Sequence, residues 1–522
     1  MRPLVTAAEM RAMDRETIDG LGIPAALLME HAGRAVAAAV QARARPHAHV
    51  VVVCGSGNNG GDGFACARWL RERGFDARVV LAKGRPKPGG EAALHLGIYE
   101  RMGGPVGETL DLGGADVIVD ALLGTGLASP VGGALADAIA AVNRAGALRL
   151  AVDLPSGLDA DTGAVLGVAV AADVTVTLAC AKVGLVSHPG CERAGELVVA
   201  DIGIPARLAA GARALLFEEA DAAALVPHRT LGGHKGTFGH VVVAAGSAGK
   251  VGAALLATSG ALRAGAGLVT LATPPAAAAA VLGRIPEAMH AVFDPEAADA
   301  DAALAQLLDG KRALAWGPGM PTSDAAGRTL RRLAVSVELP LVLDADGLNH
   351  LGREVASLKA ARGPRILTPH PGEAARLLGK DTAAVQADRV AAARTLAATS
   401  GAVVVLKGAR TVVAAPDGVA TINPTGNPGM GTGGTGDVLS GVLGALLAQG
   451  LAPLDAARLG VYLHGLAGDR AARSHGPIGL VAGDVAAELP AAFASLSKDA
   501  GQSGNDPRVH ADTHARTPSK SH

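Results

Sequence analysis

The stretch HVVVVCGSGNNGGDGFACARWL, residues 49–70, decides how this chain reads. Residues 49–54 form a nearly unbroken apolar, β-branched run. A strand with one wet face would alternate, so this one is covered on both faces, as strands of a parallel sheet are. The glycine-rich GSGNNGGDG, 55–63, makes a tight turn, and a helix begins near Phe64. The pattern repeats outward. Short apolar runs at 77–82, 117–120, 150–153 and 174–178 alternate with Ala-rich helical segments, which predicts an α/β architecture with a parallel sheet. Upstream, Thr6 and Glu9 have the spacing of a capping box, and Pro24 suits the first turn of a helix through Leu27, Leu28 and Met29.

The rhythm stops near Ile202. Residues 206–233 carry Pro227 and a glycine pair, and a second series follows at 240–245, 268–272, 313–316, 341–344, 365–368 and 403–406. These breaks divide the chain near residue 213: a first domain over 1–212, a second over 213–497, and a polar, disordered tail over 498–522. His510, His514 and His522 are scattered in that tail and form no metal site.

Composition bounds the function. The chain has 522 residues, 49% hydrophobic and 18% charged, enough for large cores and too apolar for disorder. Aromatics are only 2%, so Ala, Val and Leu must fill those cores around closely approaching backbones. The net charge is -1, from 47 basic and 48 acidic residues, which leaves no electrostatic footprint for nucleic acid or an anionic membrane. Stretches 264–283 and 438–454 are apolar but broken by proline, glycine or polar residues, and read as buried core. Four cysteines without a CxxC pair argue for a reduced, cytoplasmic protein, and Glu9, Arg11 and Asp14 interrupt what a signal peptide would need. Self-association is left open.

In a parallel sheet the strand ends that open on one edge are where ligands bind. Three strands here end in polar groups: Asn58, Asn59 and Asp62 after the first, Asp120 before a second glycine-rich loop at 124–130, and Asp153 before LPSGLD. Gly55, Gly57 and Gly60 spell GxGxxG. A dinucleotide site of that kind also needs an acid at the end of the second strand, and Asp76 stands before that strand instead. Asn59, Asp120 and Ser156 offer hard oxygens suited to an alkali or alkaline-earth ion. Asp153, between an apolar strand and Pro155, is the candidate acid–base group, because burial raises a carboxyl pKa. The glycine loops would hold phosphates by backbone N–H groups.

NNGGDG, DALLGTGL, VDLPSGLD and the opening MRAMDRETIDG…LMEHAGRA resemble the NAD(P)H-hydrate epimerase domain over about residues 1–212. The resemblance implies a Rossmann-like fold that interconverts the two C6 epimers of hydrated NADH or NADPH. It implies hydrate contacts from Asn58, Asn59, Gly60, Gly61 and Asp62, from Gly124, Thr125, Gly126, Leu127, Ala128, Ser129 and Pro130, and from Asp153. It implies a potassium ion on Asn59, Asp120 and Ser156.

In the second half the sharpest motif is NPGMGTGGTGDVLSG, 427–441. Glycines at a helix start expose N–H groups to an anion, and the helix dipole adds to their field. There is no GK[ST], so this is not a P-loop. Asp437 in the first turn is an N-cap at least, worth ~1 kcal/mol. An acid set against phosphates is better explained as a base for a hydroxyl attacking phosphorus. GTGD resembles the ribokinase-like superfamily. HKGTFGHVVV, the VGAA loop, WGPGM, LDADGLN, TPHPGE and VVLKGAR are similar to the ADP-dependent NAD(P)H-hydrate dehydratase over about 230–495. That resemblance implies hydrate contacts from Ala253, Gly319, His370 and Asp437. It implies nucleotide contacts from Lys407, Gly408, Ala409, Arg410, Thr411 and Gly436, with ADP, carried with magnesium, as co-substrate. Two alternatives stay open: a ribokinase-like kinase of a small molecule such as a vitamin alcohol, and a first domain that only binds.

Overall fold

The computed structural model describes residues 1–502, which form two compact units. The first comprises Met1–Phe217 and Thr322–Pro424; the second comprises Glu218–Pro321 and the chain from Thr425 on.

The first unit holds a seven-stranded, all-parallel sheet in the order Val106–Gly107, Asp76–Leu81, His49–Cys54, Val117–Ala121, Leu148–Val152, Val174–Leu178, Glu196–Ala200. The inner strands are buried at almost every position, as the unbroken apolar runs require. The strand order reverses between His49–Cys54 and Val117–Ala121, where Cys54 faces Ala121. A crevice opens at such a reversal, because the two following helices pack on opposite faces of the sheet. Residues 55–57 and 122–130 leave the sheet there.

The glycine-rich segment is not all turn. The helix starts at Asn58, six residues before Phe64, and runs to Glu72. Its glycines are there for packing: a Cβ on Gly60 would sit 1.9 Å from the Gly55 carbonyl oxygen, and one on Gly63 2.6 Å from the Ala121 Cβ. The expected capping box at Thr6 and Glu9 opens the helix Ala7–Arg15, preceded by a strand, Arg2–Val5, that the sequence does not announce.

That strand belongs to a second set in the same unit. Leu341–Leu343, Arg365–Leu367 and Val403–Leu406 run parallel; Val412–Ala414 and Ala420–Ile422 continue antiparallel; Ala214–Leu216, Arg2–Val5 and Ala181–Lys182 complete it. The second unit has four parallel strands in the order Met289–Val292, Leu268–Thr273, His240–Ala244, Ala313–Trp316. Its helices Val251–Arg263 and Thr435–Ala448 pack backbone to backbone: a Cβ on Gly441 would lie 1.9 Å from the Ala257 carbonyl oxygen, and one on Gly260 2.3 Å from that of Val438. The last helix, Ala482–Gln502, takes in the first five residues of the expected tail; 503–522 lie outside the described residues.

Candidate functional site

A cavity of about 790 Å³ opens at the crevice in the first unit. Of the expected contacts, Asn58, Asn59, Asp62, Asp153 and the loop residues Gly124 to Ser129 line it, whereas Gly60, Gly61 and Pro130 do not. Gly60 and Gly61 face the packed side of the helix, where a Cβ would strike Gly55 and Met29. The helix Asn58–Glu72 has no side-chain cap, so its first N–H groups remain for an anion.

Asp153 follows its strand in a left-handed conformation, φ 65°. A non-glycine residue held there carries strain of about 1 kcal/mol, which clusters at functional sites. Its carboxylate explains the hold. Oδ1 accepts from the Lys182 ammonium, from the Leu178 N–H at 3.0 Å and from the Thr177 hydroxyl at 3.3 Å. Lys182 is fully buried and also donates to the Leu178 carbonyl at 3.0 Å. A buried ion pair this well bonded meets the condition for keeping charge away from water. Oδ2 of Asp153 accepts no hydrogen bond among the described residues, and Asp153 lines the cavity.

The sequence reading missed Lys182, Asp14 and Arg11, all of which line the cavity. Lys182 stands just past Val174–Leu178, the strand beside the one that ends at Asp153, so the strand-end rule extended by one strand would have found it. Asp14 lies in the last turn of the first helix; burial pushes its carboxyl up, the Asp153 charge adds to that, and Lys182 opposes it.

Asn59, Asp120 and Ser156 gather behind this wall. The Ser156 hydroxyl and N–H donate to Asp120 Oδ1 and Oδ2 at 2.6 and 2.8 Å, and the Leu122 N–H reaches Oδ1 at 3.2 Å. The Leu123 peptide links the three: its N–H donates to Ser156 Oγ at 2.8 Å, and its carbonyl accepts from Asn59 Nδ2 at 3.1 Å. Asn59 Oδ1 is buried and has no hydrogen-bond partner among the described residues. Burial pushes the Asp120 carboxyl up to about 6, against the Ser156 and Leu122 bonds. An orphaned amide oxygen beside a buried carboxylate and a hydroxyl fits a hard monovalent cation. No group of three or more His, Cys, Asp or Glu arranged to hold a metal occurs among the described residues.

The remaining expected residues fall in both units. In the second, Asp437 and Gly436 lie in the first turn of Thr435–Ala448, behind Gly434 at φ 96°. Ala253 and Gly319 are neighbours: a Cβ on Gly319, φ 64°, would touch that of Ala253 at 3.0 Å. In the first unit, His370 is the N-cap of Pro371–Leu378. Its Nδ1 accepts from the Gly372 and Glu373 N–H groups, and Glu373 returns the bond to the His370 N–H at 2.7 Å. Lys407 is no solvated charge, because its ammonium lies 2.6 Å from Asp344 Oδ1, on a carboxylate only 1% exposed. Gly408 to Thr411 form the tight link to Val412–Ala414. Arg410 there has φ 54°, and the Thr411 hydroxyl closes on the Gly408 carbonyl at 2.9 Å.

Comparisons with known proteins agree with both halves. The family model described as YjeF-related protein N-terminus matches residues 25–184, and the model for NAD(P)H-hydrate dehydratase matches 241–491. A bifunctional NAD(P)H-hydrate repair enzyme Nnr of Moorella thermoacetica is 42% identical over 516 residues, covering 95% of this chain and 97% of that protein. One from Thermofilum pendens is 41% identical, covering 94% and 96%. The crystal structure of an ADP/ATP-dependent NAD(P)H-hydrate dehydratase from Bacillus subtilis, co-crystallised with ATP/Mg2+, is similar at 34% identity and a TM-score of 0.50, over 54% of this chain and 98% of that one. The fold is accordingly an N-terminal Rossmann-like parallel sheet followed by a ribokinase-like α/β domain. Identity at this level across nearly the whole chain means that it belongs to the family of bifunctional NAD(P)H-hydrate repair enzymes.

Proposed function

We propose that the cavity at residues 55–62 and 122–130 interconverts the C6 epimers of hydrated NADH or NADPH, and that the GTGD segment serves their ADP-dependent dehydration. By its family the chain is a bifunctional NAD(P)H-hydrate repair enzyme. We take the first domain as 1–212 and the second as 213–497, a division that falls between the matched regions.

The observation that carries the epimerase reading is the Asp153–Lys182 pair, buried in a strained turn with one carboxylate oxygen that meets no donor among the described residues. Such a group can take or return a proton at the hydrate. Arg11 and Lys83 at the cavity, with the free N–H groups of the helix at Asn58, suit the diphosphate. Asn59, Asp120 and Ser156 would hold potassium, whose charge offsets Asp120 and fixes the start of that helix.

In the second half, Asp437 takes the proton of the C6 hydroxyl, and its oxygen attacks the terminal phosphorus of ADP. AMP leaves. Loss of phosphate from C6 with a proton from C5 then re-forms the dihydropyridine. Ala253, Gly319 and His370 would contact the hydrate, and Lys407 to Thr411 with Gly436 the nucleotide; magnesium would arrive with the nucleotide. The buried thiols Cys54, Cys66 and Cys180 are free, which suits a reducing cytoplasm. No helix among the described residues is long and apolar enough to cross a membrane.

The test is incubation with mixed hydrate epimers, with and without ADP. Epimer exchange without ADP, and growth of the dihydronicotinamide absorbance with AMP and phosphate as products, support the reading. A stable phosphorylated product would favour a small-molecule kinase and overturn it.

A further inference from the structure

Four carboxyl groups, Asp14, Asp62, Glu91 and Asp153, line one cavity with a single buried ammonium, Lys182. Their surroundings differ. Asp153 holds the ammonium, while Asp14 sits half-buried at the end of the first helix. Asp62 is only 8% exposed, and among the described residues it makes no hydrogen bond and no ion pair. The group is not arranged to hold a metal.

An unpaired carboxyl at such burial works against folding. It answers to no neighbour among the described residues, so its partner is what enters the cavity. Burial pushes the Asp62 carboxyl well above the usual range; Asp153 and Asp14 push the same way, and Lys182 opposes them. Cys54 and Cys66 also face it, both thiols raised by burial and therefore neutral. Burial and the neighbouring carboxyls thus favour the protonated form of Asp62 in the same cavity where Asp153 is ion-paired. Two carboxyls whose environments separate their protonation states are how one site supplies both an acid and a base.

We propose that Asp62 is a second catalytic residue of epimerisation, giving its proton to the C6 hydroxyl while Asp153 receives the proton of the water that returns to the opposite face. The proposal rests on the epimerase reading of the cavity. Protonation by Asp62 lets the C6–O bond break with its electron pair, releasing water. The N1 lone pair closes an N1=C6 double bond, leaving the ring cationic. Water then adds to C6 from the other face, the π pair returns to N1, and the proton that the water sheds goes to Asp153 Oδ2. The product is the other epimer, and the proton passes from Asp153 back to Asp62 by exchange with solvent in the cavity before the next turnover. The reverse direction uses the two carboxyls with exchanged roles.

The experiment is Asp62→Asn in the full chain, with exchange followed by chromatography without ADP. The turnover number falls ~10²-fold or more with KM unchanged, and the fall of the wild-type rate toward high pH, where Asp62 loses its proton, is absent from the residual activity. ADP-dependent dehydration of pure S hydrate persists and the melting temperature does not drop, since the amide replaces a neutral carboxyl of the same size that bonds to nothing among the described residues. If melting does drop, Asp62→Ser must give the same kinetic result. Normal exchange in Asp62→Asn beside impaired exchange in Asp153→Asn overturns the proposal and leaves the epimerase reading intact. A raised KM with unchanged turnover makes Asp62 a binding group only and overturns it too. Normal exchange in both variants removes the reading on which the proposal stands.

Discussion

Lys182→Met tests the centre of the first site. The ammonium is fully buried, held by the Asp153 carboxylate, the Leu178 carbonyl and the Thr177 hydroxyl. Met fills the same volume without charge. The carboxylate left behind is 9% exposed and keeps two neutral donors, Leu178 N–H and Thr177. Breaking a buried pair from one side costs about 3–5 kcal/mol; the cavity beside Asp153 admits some solvent, which puts this case near the lower end. Asp153→Asn should cost a similar amount by stranding the ammonium. The double variant removes both charges and should lose far less than the two singles together, a coupling of about 3 kcal/mol. The measurement is urea unfolding of the full chain in a Trp316→Phe background. That leaves Trp69, on the helix Asn58–Glu72 of the same unit, as the one fluorescent indole. Additive losses, or a Lys182→Met variant as stable as its parent, would refute the ion-pair argument.

Other consequences are equally measurable. Asp437→Asn keeps size and helix position but cannot take a proton, so ADP-dependent recovery falls ~10²-fold or more while exchange persists; the N-cap of that helix is Gly434 and not Asp437 as the sequence suggested, so near-normal recovery leaves Asp437 only a first-turn charge on the helix dipole. Asp120 carries a raised carboxyl, so without a cation its contribution to stability is present below the unfolded value of 3.8 and is lost as pH rises through about 6. Potassium competes with that proton, so its stabilising effect in thermal melts should grow as pH rises through about 6, and a pH-independent effect would count against the assigned ligands. Gly441→Ala puts a Cβ 1.9 Å from the Ala257 carbonyl oxygen; two backbones must part, at about 1–3 kcal/mol, read as a lower melting temperature and weaker dehydration.

Much of the fold was legible because its strands are buried on both faces. The runs at 49–54, 174–178, 313–316 and 403–406 match strands residue for residue, and the others end within two residues of their expected limits. What failed is instructive. The helix at Asn58 was hidden because Gly60, Gly61 and Gly63 oppose helix propensity; they are there because strands and helices leave no room for a Cβ, a tertiary reason that no local pattern carries. The strand Arg2–Val5 was hidden because four residues specify nothing until Ala214–Leu216 and Ala181–Lys182 arrive to pair with them. Lys182 was overlooked because a lysine after an apolar strand reads as solvated; the strand-end rule carried on to 174–178 points to it, and the fold pairs it with Asp153.

The two acids at neighbouring strand ends show why position alone did not assign roles. Asp120 pairs in register with Ala151, two residues short of Asp153, and this offset separates their chemistry. At Asp120 the chain after the next strand folds back over the carboxylate. Ser156 occupies both oxygens, Leu122 adds a third bond, and no surface is left for a substrate. A carboxylate so enclosed can answer only to something small and cationic, and the orphaned Asn59 Oδ1 waits beside the same Leu123 peptide. Two residues further along, the left-handed turn lifts Asp153 clear of that enclosure. Its Oδ1 is tied to Lys182 and its Oδ2 stays open at the cavity. Exchanging the roles would require the cation to sit against Lys182, which repels it, and the proton carrier to work through oxygens that Ser156 has already filled.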